Sequence, residues 1–342
     1  MSRINQRKID HINLVATNDE LDRDQGFFDQ IHLTHRALPE LDLENIDPSI
    51  TWMGKKLSFP LLISSMTGGS DEEIIKLNQT LALAAEAENV ALAVGSQRIM
   101  LSDPTAKESF LLREYAPTAL LFGNIGAVQL NYGVNLSDCH SIMEVMGADG
   151  LFLHLNPLQE AVQPEGDTKF KGIINQIENL VNEFEKPIIV KEVGCGISMA
   201  DAALLKSAGI KYIDVAGSGG TSWSMVESKR AEDSSIGELF RDWGIPTPLA
   251  LKMLRSYKSD FDIIASGGIR NGLDMAKCII LGASLCGLAK PFLMPAMSSV
   301  DEVRHVIQKL RKEYITTLFL LGIESTNSLI GREELIRDES RY

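Results

Sequence analysis

The sequence has no C-x-x-C pair and no cysteine or histidine spacing typical of a metal site. Its four cysteines are Cys139, Cys195, Cys278 and Cys286. Thiols without a pairing pattern are typical of reduced, packed cysteines in a cytosolic protein. We therefore predict a cytoplasmic location.

Positive charge is scarce as well. Lysine and arginine number 33 against 46 aspartates and glutamates, which gives a formal net charge of −13. This balance argues against non-specific binding to nucleic acid or to anionic membranes. No segment is long and apolar enough to span a bilayer, and no signal peptide is predicted at the N-terminus. An anionic ligand of such a chain must be held by local positive charge.

Eight short apolar runs are spread along the chain, and helical patterns lie between them. The runs cover residues 60–66, 90–96, 119–124, 150–156, 187–191, 211–216, 262–267 and 284–290. Runs without polar alternation are typical of parallel strands that are covered on both faces. We predict an α/β fold, a closed (β/α)8 TIM barrel. An open doubly wound sheet is the alternative, but no G-x-G-x-x-G motif follows the first run.

The helical patterns and the two irregular segments complete the predicted organisation. Helices are expected at 71–88, 103–115, 198–208 and 300–321, and Ser70 is expected to begin a capping box for the first of them. Residues 1–59 form an N-terminal extension that is expected to cap the outside or the bottom of the barrel. Residues 60–342 form a single barrel, with a long loop at 218–247. Loops of that length are usually functional.

The densest polar cluster lies where the fourth run ends, from His154 to Glu160. His154 and Asn156 point to the same face of a strand, and Pro157 ends the strand. Gln159 and Glu160 follow in the loop. Buried polar groups are costly unless they contact something, and barrel enzymes place their active sites at this rim. The cluster therefore predicts an active site.

Glycine and polar residues also end nearly all of the remaining runs. Gly267 and Gly268 end the seventh, and the loops after the seventh and eighth strands are the usual phosphate site of such barrels. A helix that begins near Asn271 points its positive end there. Ser218 and Thr221 can donate hydroxyl groups from the neighbouring loop. These residues predict that a phosphate is bound.

Lys191 lies inside the fifth run, where a lysine is expensive without a partner. One reading is a Schiff-base nucleophile, and a second is a cation beside the ring of a flavin. A third is a structural lysine that pairs with Glu192 or reaches the rim. The residue pattern leaves the three open.

Several of these motifs occur together in one known family. They are Arg7-Lys8-x-Asp10-His11, Met66 to Gly69, Ser96 to Arg98, His154 to Glu160, Lys191 to Gly194, Gly217 to Ser222, Trp243 to Thr247, Ala265 to Arg270 and Ala289-Lys290. Over nearly its whole length the chain resembles the type 2 isopentenyl-diphosphate isomerases. These are FMN-dependent TIM barrels that interconvert isopentenyl diphosphate and dimethylallyl diphosphate in isoprenoid biosynthesis.

The resemblance implies a role for each matching residue. FMN is bound by Met66, Thr67, Gly68, Ser96, Asn124, Lys191, Ser218, Thr221, Gly267, Gly268, Ile269, Arg270, Ala289 and Lys290. The substrate is bound by Arg7, Lys8, Ser96, Gln97, Arg98, His154 and Gln159. Glu160 ligates Mg²⁺, and the catalytic group comprises Gln159, His154, Asn156 and Lys191. NADPH or another reductant is expected to reduce the flavin, and the protein is expected to be a homo-oligomer, a tetramer or an octamer.

Three other functions compete with the isomerase. An FMN-dependent 2-hydroxy-acid oxidase needs a histidine base followed by an arginine after the sixth strand, where this chain has Gly217 to Ser222. An aldolase would use Lys191 as a Schiff base and would be colourless. A non-catalytic sensor of a phosphorylated ligand would not need an interior lysine.

Overall fold

Eight parallel strands close into a barrel. The structure is a computed structural model that describes residues 3–23 and 25–337, with only the backbone of residues 3–7. The strands are β1 (Ile50–Trp52), β2 (Lys55–Leu57), β3 (Leu61–Ile63), β4 (Ala91–Ala93), β5 (Leu121–Gly126), β6 (Gly150–Leu155), β7 (Ile188–Glu192), β8 (Tyr212–Asp214), β9 (Asp262–Ser266) and β10 (Leu285–Leu288). Of these ten, β1 and β2 form a separate hairpin, and the other eight close in the order β10-β3-β4-β5-β6-β7-β8-β9. The predicted TIM barrel is confirmed, and each predicted run overlaps one barrel strand.

Helices alternate with the barrel strands. They are α1 (Arg3–Thr17), α2 (Glu72–Glu88), α3 (Arg98–Ser102), α4 (Leu136–Met146), α5 (Pro157–Val162), α6 (Ile173–Glu183), α7 (Met199–Ser207), α8 (Trp223–Ser228), α9 (Ser235–Leu239), α10 (Thr247–Met253), α11 (Gly272–Ile280), α12 (Lys290–Ser298), α13 (Val300–Leu321) and α14 (Thr326–Leu329). The helices predicted at 71–88, 198–208 and 300–321 are confirmed as α2, α7 and α13. The long loop at 218–247 contains α8 and α9. Within the described residues, no helix is long and apolar enough to cross a membrane.

Two local predictions are wrong. The segment 103–115 is not an α-helix, because Asp103 caps a 3-10 helix that covers Pro104–Phe110 and ends there. Proline at the first position fixes the backbone of that turn. The N-cap of α2 is Asp71 and not Ser70, because Asp71 has the extended backbone and the side-chain hydrogen bond that a cap requires.

The antiparallel hairpin β1–β2 closes one end of the barrel. The indole of Trp52 lies 5.6 Å from the ring of Phe122 and 5.9 Å from that of Tyr212, measured between ring centroids. Ile50 and Leu57 are buried in the same cluster. Because Tyr212 begins β8, the hairpin lies at the N-terminal ends of the strands. It forms the floor of the barrel.

Helix α1 lies at the opposite end, where the strands finish. Lys8 donates a hydrogen bond to the carbonyl oxygen of Ser96, over 2.8 Å, and His11 lies 3.0 Å from Glu227. The expectation that the extension caps the outside or bottom therefore fails for α1, which covers the carboxyl ends of the strands. The division at residue 59 into an extension and a barrel stays a prediction.

Candidate active site at the carboxyl ends of the strands

A cavity of about 420 Å³ opens at the carboxyl ends of the strands, next to α1. Most of the predicted site residues line it, and they come from the carboxyl ends of all eight barrel strands and the loops that follow them. The predicted residues in its wall are Lys8, Met66, Thr67, Gly68, Ser96, Arg98, Asn124, His154, Asn156, Gln159, Glu160, Lys191, Thr221, Gly267, Gly268, Ile269, Arg270, Ala289 and Lys290. Their individual roles stay predictions.

Two predicted residues lie elsewhere, and one falls outside the described side chains. Gln97 is fully buried, and its amide group bonds to the N–H of Asn124 and to the carbonyl oxygen of Ile142 instead of facing the cavity. Ser218 is buried and is not among the residues that line the cavity. The substrate contact of Gln97 and the cofactor contact of Ser218 stay predictions, and their side chains are not in the cavity wall. The side chain of Arg7 lies outside the described part of the chain.

Glycine backbone forms one end of the cavity. Gly267 and Gly268 have φ angles of 95° and 74°, which favour glycine. A Cβ atom on Gly267 would lie 2.0 Å from the carbonyl oxygen of Gly217, and one on Gly268 would lie 2.7 Å from the backbone of Gly219. Side chains are thus excluded, and the backbone itself faces the cavity. Such backbone can approach a phosphate group closely.

An acidic segment covers this glycine end. We call residues 18–30, apart from residue 24, the strap. Asp22 of the strap accepts hydrogen bonds from Lys290 Nζ, at 2.7 Å, and from Thr221 Oγ1, at 2.9 Å. Arg270 forms an ion pair with Asp29, another strap residue, at 3.2 Å. The cations predicted to hold a phosphate are therefore already paired with carboxylates.

Lys8 and Arg98 contribute positive charge elsewhere in the cavity wall. Arg98 Nη1 lies 2.5 Å from Asp167 Oδ2, and Gln129 donates to the same carboxylate oxygen over 3.0 Å. The N–H of Asp167 in turn donates to Glu160 Oε2 over 2.7 Å. Asp167 thus joins a predicted diphosphate ligand to the predicted metal ligand, a link that no sequence motif indicated.

Helix α5 begins directly after the polar strand end and places three oxygen-bearing side chains together. Asn156 Nδ2 donates to Glu160 Oε1 at 2.9 Å and to Gln159 Oε1 at 3.2 Å. Asn156 Oδ1 is buried and accepts no hydrogen bond from the described residues. Carboxylate and carbonyl oxygens are the ligands that Mg²⁺ prefers. This donor set fits a magnesium ion.

His154 is oriented by a chain of hydrogen bonds from neighbouring strands. Its Nδ1 atom lies 2.7 Å from Asn124 Oδ1, and Asn124 Nδ2 donates to Ser65 Oγ over 2.8 Å. Since an amide oxygen only accepts, this arrangement assigns the proton to Nδ1 of the imidazole. The residues that hold His154 lie within β5 and in the loop after β3, and their proximity follows from the barrel.

Glu227 is a site residue that the sequence reasoning left without a role. It is fully buried on α8, and its Oε1 atom accepts from Gln159 Nε2 at 2.8 Å and lies 3.0 Å from His11 Nε2. Arg230 Nη1 lies 2.6 Å from Oε2. Burial alone would raise the pKa of Glu227. The hydrogen bonds from His11 and Gln159, with the charges of His11 and Arg230, outweigh burial and hold that pKa below its usual value.

Lys191 is buried inside the barrel and faces the cavity. Its Nζ atom donates to the carbonyl oxygen of Glu192 at 2.5 Å and lies 4.0 Å from Asp214 Oδ2. Asp214 is fully buried, and burial raises its pKa, although the charge of Lys191 opposes the shift. Lys191 therefore forms an ion pair with Asp214, and it contacts Glu192 through the backbone carbonyl oxygen.

Glu192 faces away from Lys191 and is buried against the backbone of the following loop. Its Oε2 atom accepts hydrogen bonds from the N–H groups of Val193, Gly194 and Cys195, at 2.6, 2.7 and 2.5 Å. Burial raises the pKa of Glu192 to about 7, and these hydrogen bonds oppose the shift without cancelling it. The carboxyl group is therefore protonated more readily in the folded protein than in the unfolded chain.

This raised pKa predicts a stability that depends on pH. The folded protein binds more protons than the unfolded chain between about pH 4.5 and 7, so the free energy of unfolding falls as pH rises through that window. Glu192→Gln removes the titration. As pH rises from about 5 to 8, the free energy of unfolding of the variant should therefore increase by about 3 kcal/mol relative to that of the unchanged protein. Urea unfolding across this range measures the difference. The exposed Glu185→Gln is the control, and a flat difference for Glu192→Gln would contradict the prediction.

Two known proteins are similar to this chain over nearly its whole length. An isopentenyl-diphosphate delta-isomerase of Hydrogenovibrio crunogenus is 50% identical over 338 residues, which cover 98% of this chain and 98% of that protein. One of Paracoccus zeaxanthinifaciens is 51% identical over 337 residues, which cover 97% of each. The chain belongs to the isopentenyl-diphosphate delta-isomerase family. The resemblance found in the sequence and the predicted enzyme class, an isomerase, are confirmed.

The cofactor class of this isomerase family member is supported by a second comparison. A family model described as FMN-dependent dehydrogenase matches residues 153–337. Among solved structures, a flavocytochrome b2 variant with sulfite bound superposes with a TM-score of 0.70 at 17% identity, covering 97% of this chain and 82% of that one. A mandelate oxidase variant with an FMN adduct gives 0.63 at 17% identity, covering 94% and 93%. These structures share the fold, and the family model supports FMN.

Proposed function

We propose that the protein converts isopentenyl diphosphate to dimethylallyl diphosphate, and that it requires reduced FMN and Mg²⁺. The observation that carries the proposal is the composition of one cavity. It joins a glycine-lined end with Arg270 and Lys290, a buried lysine, the cations Lys8 and Arg98, and an oxygen-rich cluster that fits Mg²⁺. The family to which the chain belongs has the matching name and the matching cofactor class.

The glycine end fits the phosphate of FMN, and Lys191 fits a place beside the flavin ring. Met66, Thr67 and Gly68 line the same cavity and complete the proposed surface for the ring. When bound in its reduced form, FMN supplies an electron-rich ring that stabilises nearby positive charge and can carry a proton. A buried cation such as Lys191 favours that reduced form.

Lys8 and Arg98 fit the diphosphate of the substrate, and Glu160 fits the Mg²⁺ ion that binds with it. A chain of net charge −13 must concentrate positive charge where a diphosphate binds. Lys8 and Arg98 supply two cations, and one carboxylate is enough for Mg²⁺ because the ion keeps several waters and phosphate oxygens. Asn156, whose amide oxygen accepts no hydrogen bond from the described residues, orients the diphosphate or the waters of the Mg²⁺ ion. Arg7 is expected to act with Lys8.

The double-bond shift needs a proton added at one carbon and another removed from an allylic carbon. Gln159 lies in the cavity wall with its amide group held by Asn156 and Glu227. We infer that Gln159 orients the reacting carbons, or carries a proton, and that His154 orients the diphosphate or its magnesium waters. Helix α1 shields this region from water through His11, which packs on Trp223 at 5.2 Å between ring centroids.

Proton NMR of isopentenyl diphosphate under anaerobic conditions tests the reaction directly. The protein, FMN, Mg²⁺ and dithionite should produce dimethylallyl diphosphate, and omission of dithionite should prevent it. No conversion by protein with bound, reduced FMN would contradict the isomerase and favour an oxidoreductase of the 2-hydroxy-acid oxidase type. A protein that binds no FMN would contradict both.

The proposed metal ligand has its own test. Glu160→Gln should lower kcat/KM by more than about 100-fold and should weaken the dependence on Mg²⁺, because the only proposed protein carboxylate on the ion is lost. The exposed Glu178→Gln on α6 is the control and should behave as the unchanged protein. Equal magnesium dependence in all three proteins would remove Glu160 as a ligand. The reductant, NADPH or another, the homo-oligomer and the cytoplasmic location stay predictions.

A further inference from the structure

Two side chains that are proposed to hold the cofactor phosphate are both bound by Asp22. Lys290 Nζ lies 2.7 Å from Asp22 Oδ2, and Thr221 Oγ1 donates to Asp22 Oδ1 over 2.9 Å. Asp22 also lines the cavity itself. The carboxylate of Asp22 therefore has the ligands that the phosphate of FMN would use, and both groups are anionic oxygen acceptors.

The pairing with Asp22 also affects the pKa of Lys290. Burial alone would lower the pKa of Lys290, but the hydrogen bonds and charges of Asp22 and Asp19 outweigh burial and raise that pKa. Asp19 is the weaker partner by geometry, because it lies 3.2 Å from Nζ and its side chain is fully exposed. Asp22 is shielded on most sides, with a side-chain exposure of 36%.

Backbone hydrogen bonds on both sides fix Asp22 at this place. The N–H of Arg23 donates to the carbonyl oxygen of Gly220 at 3.0 Å, and the N–H of Ser222 donates to that of Leu21 at 2.8 Å. The buried guanidinium of Arg23 also donates to the carbonyl oxygen of Arg241, at 2.8 Å. The strap is thus attached to the 218–247 loop, and the Asp22 carboxylate is held against Lys290 by its surroundings.

We propose that the Asp22 carboxylate is a stand-in for the phosphate of FMN. The carboxylate binds Lys290 and Thr221 until the cofactor displaces it. The proposal rests on the FMN site proposed above. A dianionic phosphate and the Asp22 carboxylate repel each other, so binding of FMN requires the carboxylate to release both groups. The backbone hydrogen bonds on both sides of Asp22 can stay in place while its side chain turns away.

The test compares FMN with riboflavin, which has the same ring and no phosphate. Binding of each is measured from quenching of flavin fluorescence. Asp22→Asn should lower the Kd for FMN by about fivefold or more, because a like charge is removed from the phosphate site. The Kd for riboflavin should not change. Asp22→Glu keeps the charge and should bind FMN as weakly as the unchanged protein.

Asp19→Asn is the matched control, because it removes one negative charge from the same segment and from the same lysine. Its Kd for FMN should stay within about twofold of the unchanged protein. Equal tightening by Asp19→Asn and Asp22→Asn, or equal tightening for FMN and riboflavin, would overturn the stand-in role. So would an unchanged or weakened FMN affinity in Asp22→Asn. If the unchanged protein binds no FMN, the proposed function fails instead.

Discussion

Replacing Glu227 with glutamine is expected to lower kcat by about 100- to 1000-fold. Both carboxylate oxygens of Glu227 accept from donors, Oε1 from Gln159 and Oε2 from Arg230. A glutamine has one NH₂ group in place of one oxygen, so one donor of the unchanged site must then face another donor. The charge that holds Arg230 and His11 is lost as well. Gln159 would lose its hydrogen bond to Glu227 and, with it, the orientation toward the reacting carbons that we propose for it.

Steady-state kinetics with three further variants separates positioning from other roles. Glu165→Gln removes the exposed second partner of Arg230, at 3.0 Å, and should change kcat by less than about threefold. Gln159→Ala should lose as much kcat as Glu227→Gln, and the double variant should lose little more, because the two residues act as a unit. A raised KM with an unchanged kcat in Glu227→Gln would assign it to substrate binding. Near-full turnover in Gln159→Ala would remove Gln159 as an acid, a base or an orienting group.

Replacing Lys191 with methionine is expected to lower turnover by about 100-fold or more, because it removes the buried cation proposed to lie beside the flavin ring. The same change should lower the reduction potential of bound FMN, since a nearby cation favours the reduced ring. It also leaves the fully buried Asp214 without the lysine 4.0 Å away. Anaerobic photoreduction against a reference dye measures the potential.

A double variant distinguishes the loss of the cation from damage to the fold. Lys191→Met with Asp214→Asn removes both charges, so it should recover most of the stability that the single variant loses, while turnover stays low. Recovery of turnover in the double variant would show that Lys191 serves only to neutralise Asp214. A Lys191 that forms a borohydride-reducible adduct with substrate would instead support the Schiff-base reading.

The strands of this fold could be predicted because the physical signal is strong and local. A strand covered on both faces is mostly apolar. β5 and β7 are buried at every residue, and their polar residues, Asn124, Lys191 and Glu192, lie toward the carboxyl ends. The carboxyl-end cluster from His154 to Glu160 was predictable for the same reason, since polar groups at the end of such a strand need a partner. The placement of α1 could not be predicted. Its sequence contains both polar and apolar residues and does not specify which end of the barrel the helix covers.

Single side chains were harder to place. Gln97 follows β4 after the chain has turned, so the alternation of strand faces no longer applies, and its amide binds backbone groups of β5 and α4. Glu227 lies 68 positions from Gln159 in sequence, and only the closed barrel brings α5 and α8 together. Asp22 is a polar residue in a segment without periodicity, and its partners come from the sixth and eighth barrel loops.

The Trp52 hairpin closes the barrel at the N-terminal ends of its strands, so ligands can enter and leave only at the carboxyl ends. The proposed flavin surface is formed by strand ends and by Lys191 inside the barrel, whereas the proposed diphosphate ligands include Lys8 on the overlying helix. On this assignment the flavin surface lies deeper in the cavity than the diphosphate ligands, so we expect FMN to load before the substrate. Exchange of substrate for product is then expected to pass the contacts of α1, such as the hydrogen bond from Lys8 to the carbonyl oxygen of Ser96.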